Sequence, residues 1–167
     1  FRTIITRSGH VDTYSTRNTR FTHIAGWVFH IGLFMTIFLL TPHIEVFKSI
    51  IGFAWPALPT PIIDFATVIA MITMLAMLFH RITNPVLKYL STGQDFVVWA
   101  LTFTPLLTGY MAYHHLFFSY TLLLGLHILS VCLLLVFFPF TKLTHAVTLF
   151  FARWYNGMMA GEKGVQQ

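Results

Sequence analysis

Charge is scarce in this chain. Of 167 residues, ten are Lys or Arg and five are Asp or Glu, 9% in all, where a water-soluble domain carries about 25%. With 56% hydrophobic residues and a mean hydropathy of +0.74, that deficit excludes a water-soluble globule. Cysteine is nearly absent too. The single Cys132 sits in an apolar run, so this chain alone builds neither a disulfide framework nor a cysteine-ligated zinc or iron–sulfur site. Any redox metal must use histidine or arrive with a partner. No charged segment followed by an apolar core and a cleavage site opens the sequence at Phe1, so no signal peptide is expected and the native chain is expected to start earlier. Repeats, low-complexity tracts and long linkers are also lacking, which leaves one membrane domain over residues 1–167.

What is present is apolar length. Crossing hydrocarbon takes about 20 apolar residues, and four segments qualify: about 21–41, 62–79, 95–113 and 116–138. Pro42 is expected to end the first, and Pro105 and Gly109 predict a kink in the third, which a neighbouring helix can satisfy. A shorter stretch, about 145–159, reads as an interfacial helix. The fold class is therefore all-α: a bundle of four transmembrane helices with a short C-terminal helix at the surface. Nine of the ten Lys and Arg residues fall before the first span, between the second and third, or after the fourth; Lys48 alone lies on the other side. Short cytoplasmic loops hold such an excess, so both ends of the chain are placed in the cytoplasm. The same count explains the pI of about 9.7 through a lipid bilayer and no nucleic acid.

The remaining excess is histidine, nine residues against five acids. Inside a membrane a histidine is costly unless it faces the bundle interior with a partner, so each is a site candidate. His30 and His127 are the deepest. His127 and His145 lie 18 residues apart, five turns and about 27 Å along an unbroken helix; His43 follows His30 by 13 residues, about 20 Å along the axis. Two antiparallel helices with a histidine near each end can place one pair at each membrane surface, and bis-histidine haem b is the cofactor that such pairs suit. Gly32 and Gly125, each two residues from one of the deep histidines, would let a flat macrocycle approach the backbone. The plainer alternative is that these histidines bond helix to helix or face headgroups. His80 reads as interfacial and His10 as outside the membrane. A non-redox subunit or transporter with a histidine proton relay is the competing reading.

The run from Phe138 to His145, FPFTKLTH, with His127 18 residues before its last residue, resembles the last helix of the gamma subunits of respiratory nitrate reductases. Phe29-His30-Ile31-Gly32, Leu40-Thr41-Pro42-His43 and Ser91-Thr92-Gly93-Gln94-Asp95 resemble further phrases of that family, whose relatives include gamma-type subunits of sulfate reducers' membrane complexes and of heterodisulfide reductases. The resemblance implies a subunit of a prokaryotic cytoplasmic membrane that holds one or two haem b groups. It would pass electrons between a menaquinone pool and an iron–sulfur subunit on the cytoplasmic side, as part of an oxidoreductase complex. Carried over, His30 and His145 would ligate the cytoplasmic-side haem and His127 the outer one. The family's second ligand of the first helix falls on Leu40; His43 is the nearest substitute, with His114 and His115 as alternatives. The family has one more helix ahead of the first span. Its quinol-site lysine finds no equivalent in the Pro56–Pro61 region, where Asp64 stands as candidate acceptor of a quinol proton. Arg20 and Arg81 are candidates for haem propionates. Arg20-Phe21-Thr22-His23 suggests a third possibility, a formate dehydrogenase type of cytochrome b subunit with His23 as inner ligand.

Overall fold

A computed structural model describes residues 17–164; Arg2, Arg7 and His10 lie outside them. All of the described regular structure is helical: α1 (Arg17–Leu39), α2 (Thr41–Ile51), α3 (Thr60–Thr83), α4 (Pro85–Leu90), α5 (Gly93–Tyr113), α6 (Tyr120–Phe137) and α7 (His145–Glu162). Helices α1, α3, α5 and α6 are each long and apolar enough to cross a membrane. The chain is an all-α, multi-pass membrane protein.

The expected spans differ from these helices at their ends, for local reasons. The first helix stops at Leu40, whose extended backbone (φ −82°, ψ 129°) caps the new helix α2. Proline 42 does not end a helix; it stands in the first turn of α2, where its missing N–H costs nothing. The fourth span begins at Tyr120 instead of 116 because the α5–α6 turn holds His115 and Phe117 at positive φ, 55° and 66°. The chain does not run as one helix from His127 to His145: after Phe137 it passes through two 3-10 turns, Phe138–Phe140 and Lys142–Thr144, before α7. Helix α5 runs through Pro105 from Gly93 to Tyr113, and α7 extends to Glu162.

Packing proceeds around the bundle from α1 to α3, α3 to α5 and α5 to α6. The α1–α3 crossing is the closest. A Cβ on Gly32 would lie 2.7 Å from the Ala66 carbonyl oxygen and 2.9 Å from the Ala70 Cβ, so the two backbones touch where only small residues allow it. One turn further, Thr36 and Thr67 share a hydrogen bond of 2.7 Å between their buried hydroxyls. Gly32 thus serves α3 and not, as its position beside His30 suggested, a macrocycle. The core continues through Phe29, Ala70, Met74 and Leu106, with Trp99 Nε1 donating to the Met74 carbonyl at 2.9 Å.

Between α1 and α6 this packing stops. Among the described residues no Cα of α1 or α2 lies within 8 Å of a Cα of α6 or α7. Helices in direct contact have axes about 8–10 Å apart, so the two ends of the arc leave a seam.

Candidate functional site: two histidine pairs across the seam

Four of the nine histidines cross that seam, in two pairs. The rings of His30 on α1 and His145 at the start of α7 have centroids 6.0 Å apart and planes at 88°. His43 on α2 and His127 on α6 have centroids 6.1 Å apart and planes at 20°. The antiparallel course of the two strands of chain puts the first pair at one end of the seam and the second at the other.

Each ring is oriented through Nδ1 by a main-chain carbonyl. His30 Nδ1 lies 2.6 Å from the Gly26 carbonyl one turn back, and His145 Nδ1 lies 2.7 Å from that of Lys142 in the second 3-10 turn. His43 Nδ1 reaches the Thr36 carbonyl at 2.8 Å, and His127 Nδ1 reaches the Pro105 carbonyl on α5 at 3.1 Å. A carbonyl only accepts, so in all four Nδ1 is the donor, which in a neutral ring leaves Nε2 as the nitrogen with the lone pair. That is the tautomer of a metal ligand held by an outer-shell acceptor.

The helix break before His43 explains its orientation. In a continuous helix the Leu40 N–H would bond the Thr36 carbonyl and the Pro42 position would bond Phe38. With Leu40 extended and proline at 42, the freed carbonyls find other donors: His43 Nδ1 at Thr36, Trp55 Nε1 at Phe38 and the Leu58 N–H at Leu39, 3.1 Å.

His127 sits in a cradle on α5 that sequence reasoning missed. A Cβ on Gly109 would be 2.8 Å from its Cε1 and 3.0 Å from its Nδ1, so the imidazole lies against bare backbone. Thr108 Oγ1 is 3.4 Å from His127 Nδ1 and 3.2 Å from Ser130 Oγ, which itself donates to the His127 carbonyl at 2.7 Å. The signal was present as Gly109 four residues after Pro105, but helix spacing within one chain segment does not reveal a contact between two.

The other site candidates fall elsewhere. Asp64, near the start of α3, has Oδ1 3.2 Å from His114 Nε2, an ion-pair separation without hydrogen-bond angles. His114 also packs against Tyr110, centroids 4.4 Å, and Tyr113, 5.4 Å; Tyr113 OH is 3.3 Å from Thr60 Oγ1. His115 stacks on Tyr120 at 5.0 Å. Neither His114 nor His115 meets His127; His43 does. Arg81 donates to Ser91 Oγ at 3.0 Å and lies 3.7 Å from Asp95 Oδ1. Arg20 is exposed near the start of α1. His80 meets the ring of Phe21 at 4.9 Å, with its Nε2 buried and lacking a hydrogen-bond partner among the described residues. His23, half-buried on α1, contacts no other histidine ring among those described.

Among the described residues no three His, Cys, Asp or Glu side chains converge as a metal site. The donor set is thus two imidazoles, twice. Centroids 6.0 and 6.1 Å apart leave room for one metal between the rings of each pair, which would take one imidazole nitrogen from each at about 2 Å.

No family model matches the chain, and no solved structure does. The chain is 36% identical over 146 residues, 87% of its length, to a curated protein of Nitratidesulfovibrio vulgaris called only "Protein". It spans 64% of that relative's length.

Proposed function

We propose that the chain is a cytochrome b membrane subunit with two bis-histidine haem sites, His30 with His145 and His43 with His127. The observation that carries this is the matched pairing: four Nδ1-bonded imidazoles in two couples with centroids 6.0 and 6.1 Å apart, across the seam between α1–α2 and α6–α7. His30 with His145 and His43 with His127 would each hold one haem by imidazole nitrogens, and bound haem would supply one-electron transfer. The chain's own residues do the rest. The carbonyls of Gly26, Thr36, Pro105 and Lys142 hold the four imidazoles in the ligating tautomer.

With the resemblance to nitrate reductase gamma subunits, this becomes an electron path between a quinone pool and an iron–sulfur partner in a prokaryotic cytoplasmic membrane. The partner would dock at the His145 end, where Arg81 and Lys142 meet at Asp95 and where the positive-inside rule puts the cytoplasm. Quinol gives up protons as well as electrons. At the His43 end, the Asp64–His114 couple, 3.2 Å apart, is the group that takes them.

The test is a pyridine haemochromogen assay with reduced-minus-oxidised spectra on the purified full chain. Two b-type haems per chain are expected, and His127→Ala and His145→Ala each remove haem while insertion in the membrane persists. Full haem content in both variants would falsify the ligand assignment. Asp64→Asn is expected to slow haem reduction by quinol at unchanged haem content.

A further inference from the structure

The segment Ser91–Asp95 has no part in ligation, yet every polar side chain in it but Thr92 reaches another part of the chain. Ser91 Oγ accepts from Arg81 of α3 at 3.0 Å and donates to the Leu87 carbonyl at 2.6 Å. Gln94 Nε2 donates to the Phe140 carbonyl at 3.4 Å. Asp95 divides its carboxylate. Oδ2 accepts from the Thr92 N–H at 2.8 Å and the Thr92 hydroxyl at 3.0 Å, capping α5; Oδ1 takes Lys142 Nζ at 2.7 Å.

The two residues gripped from α5, Phe140 and Lys142, bracket the junction of the two 3-10 turns. Lys142 is also the residue whose carbonyl receives His145 Nδ1. Its side chain is thus tied to α5 while its backbone sets the tautomer and heading of His145. The Asp95 side chain is only 10% exposed while that of Lys142 is 53% exposed, so the carboxylate is held in the fold and the ammonium reaches it from the solvent side. The turns gain from such support, because 3-10 hydrogen bonds have poorer geometry than α-helical ones.

We infer that Asp95 and Lys142 form a clamp that positions His145 toward His30, so that α5, which carries no ligand, aims the imidazole on α7. The inference rests on the two-haem reading above for its spectroscopic test, and a second measurement stands without it. In the pair His30–His145 the ring planes are at 88° and in His43–His127 at 20°, and the angle between axial imidazole planes sets the g-anisotropy of a low-spin ferric haem. The two sites therefore give separable electron paramagnetic resonance signals.

The experiment compares the full chain with Asp95→Asn, Lys142→Met and Lys142→Arg. Asn keeps an oxygen to cap α5 but loses the charge; Arg keeps the charge. The expected result is that Asp95→Asn and Lys142→Met each move or diminish the more anisotropic signal and leave the other unchanged, while Lys142→Arg retains the wild-type spectrum. Hydrogen–deuterium exchange of the backbone over residues 138–146 is expected to rise in the same two variants and not in Lys142→Arg. Wild-type spectra and exchange in Asp95→Asn and Lys142→Met overturn the clamp. A wild-type chain without b-type absorbance sinks the haem reading instead, and exchange alone then decides whether the clamp holds.

Discussion

At Gly109 one hydrogen atom stands where any other residue would put a carbon 2.8 Å from the His127 ring. Such a distance is below van der Waals contact, so Gly109→Ala must push the imidazole off the Pro105 carbonyl or bend α5. The expected outcome is a loss or shift of the His43–His127 signal with the His30–His145 signal intact, read by the same resonance experiment. Gly161→Ala in α7, where an added Cβ meets nothing within 4 Å, is the control. It should leave spectra unchanged and stabilise its helix by up to about 1 kcal/mol through helix propensity. The candidate ligands themselves were legible in the sequence, since a membrane histidine advertises itself by cost. Their acceptors were not: the Pro105 and Thr36 carbonyls belong to backbone, which every residue has, and only the folded chain says which are free.

Among the elements, the α1–α3 crossing carries the closest packing in the bundle and offers the plainest stability test. Gly32→Ala places a carbon 2.7 Å from a backbone oxygen of α3 that no rotamer change can move, and overpacking of this kind costs about 1–3 kcal/mol. Thermal or denaturant unfolding in detergent should show that loss. Replacing Thr36 and Thr67 by Val, singly and together, measures their hydrogen bond by a double-mutant cycle; about 0.6 kcal/mol is the average for membrane helices. Segment lengths and apolar runs made the four spans readable to within a few residues at most ends. Helix α2 and the 3-10 turns were not, because Pro42 and Pro139 each permit either a stop or a restart, and the choice depends on partners such as Trp55 and Asp95 that lie far away in sequence.

Across the whole molecule, packing runs from α1 through α3 and α5 to α6 and leaves the closing contact to histidine rings. A bundle so built lacks one of its side walls until something fills the seam. A ligand that binds only the folded chain stabilises it by mass action, so haem-loaded protein should unfold at a distinctly higher temperature than haem-depleted protein. Hydrogen exchange should differ most in α1, α2 and α6 and least where α3 meets α5. Equal protection in both preparations would contradict a cofactor in the seam. The sequence pointed to antiparallel histidine pairs, yet left His127 with three candidate partners, because His43, His114 and His115 share one end of the bundle and only the bend at Leu40 separates them.

That bend also resolves a matter of phase. On a straight helix, 13 residues turn a side chain by about 220°, which would send His43 to the far side of α1 from His30. The extended residue at Leu40 resets the rotation, so both imidazoles look into the same gap. The spacing between the two ligands is then no longer tied to helical arithmetic. Inserting or deleting one residue within a continuous helix swings everything after it by about 100°, whereas a joint at this position absorbs the change. Chains sharing this architecture are therefore free to vary the number of residues between these two histidines, and a pattern search that insists on one number will pass them over.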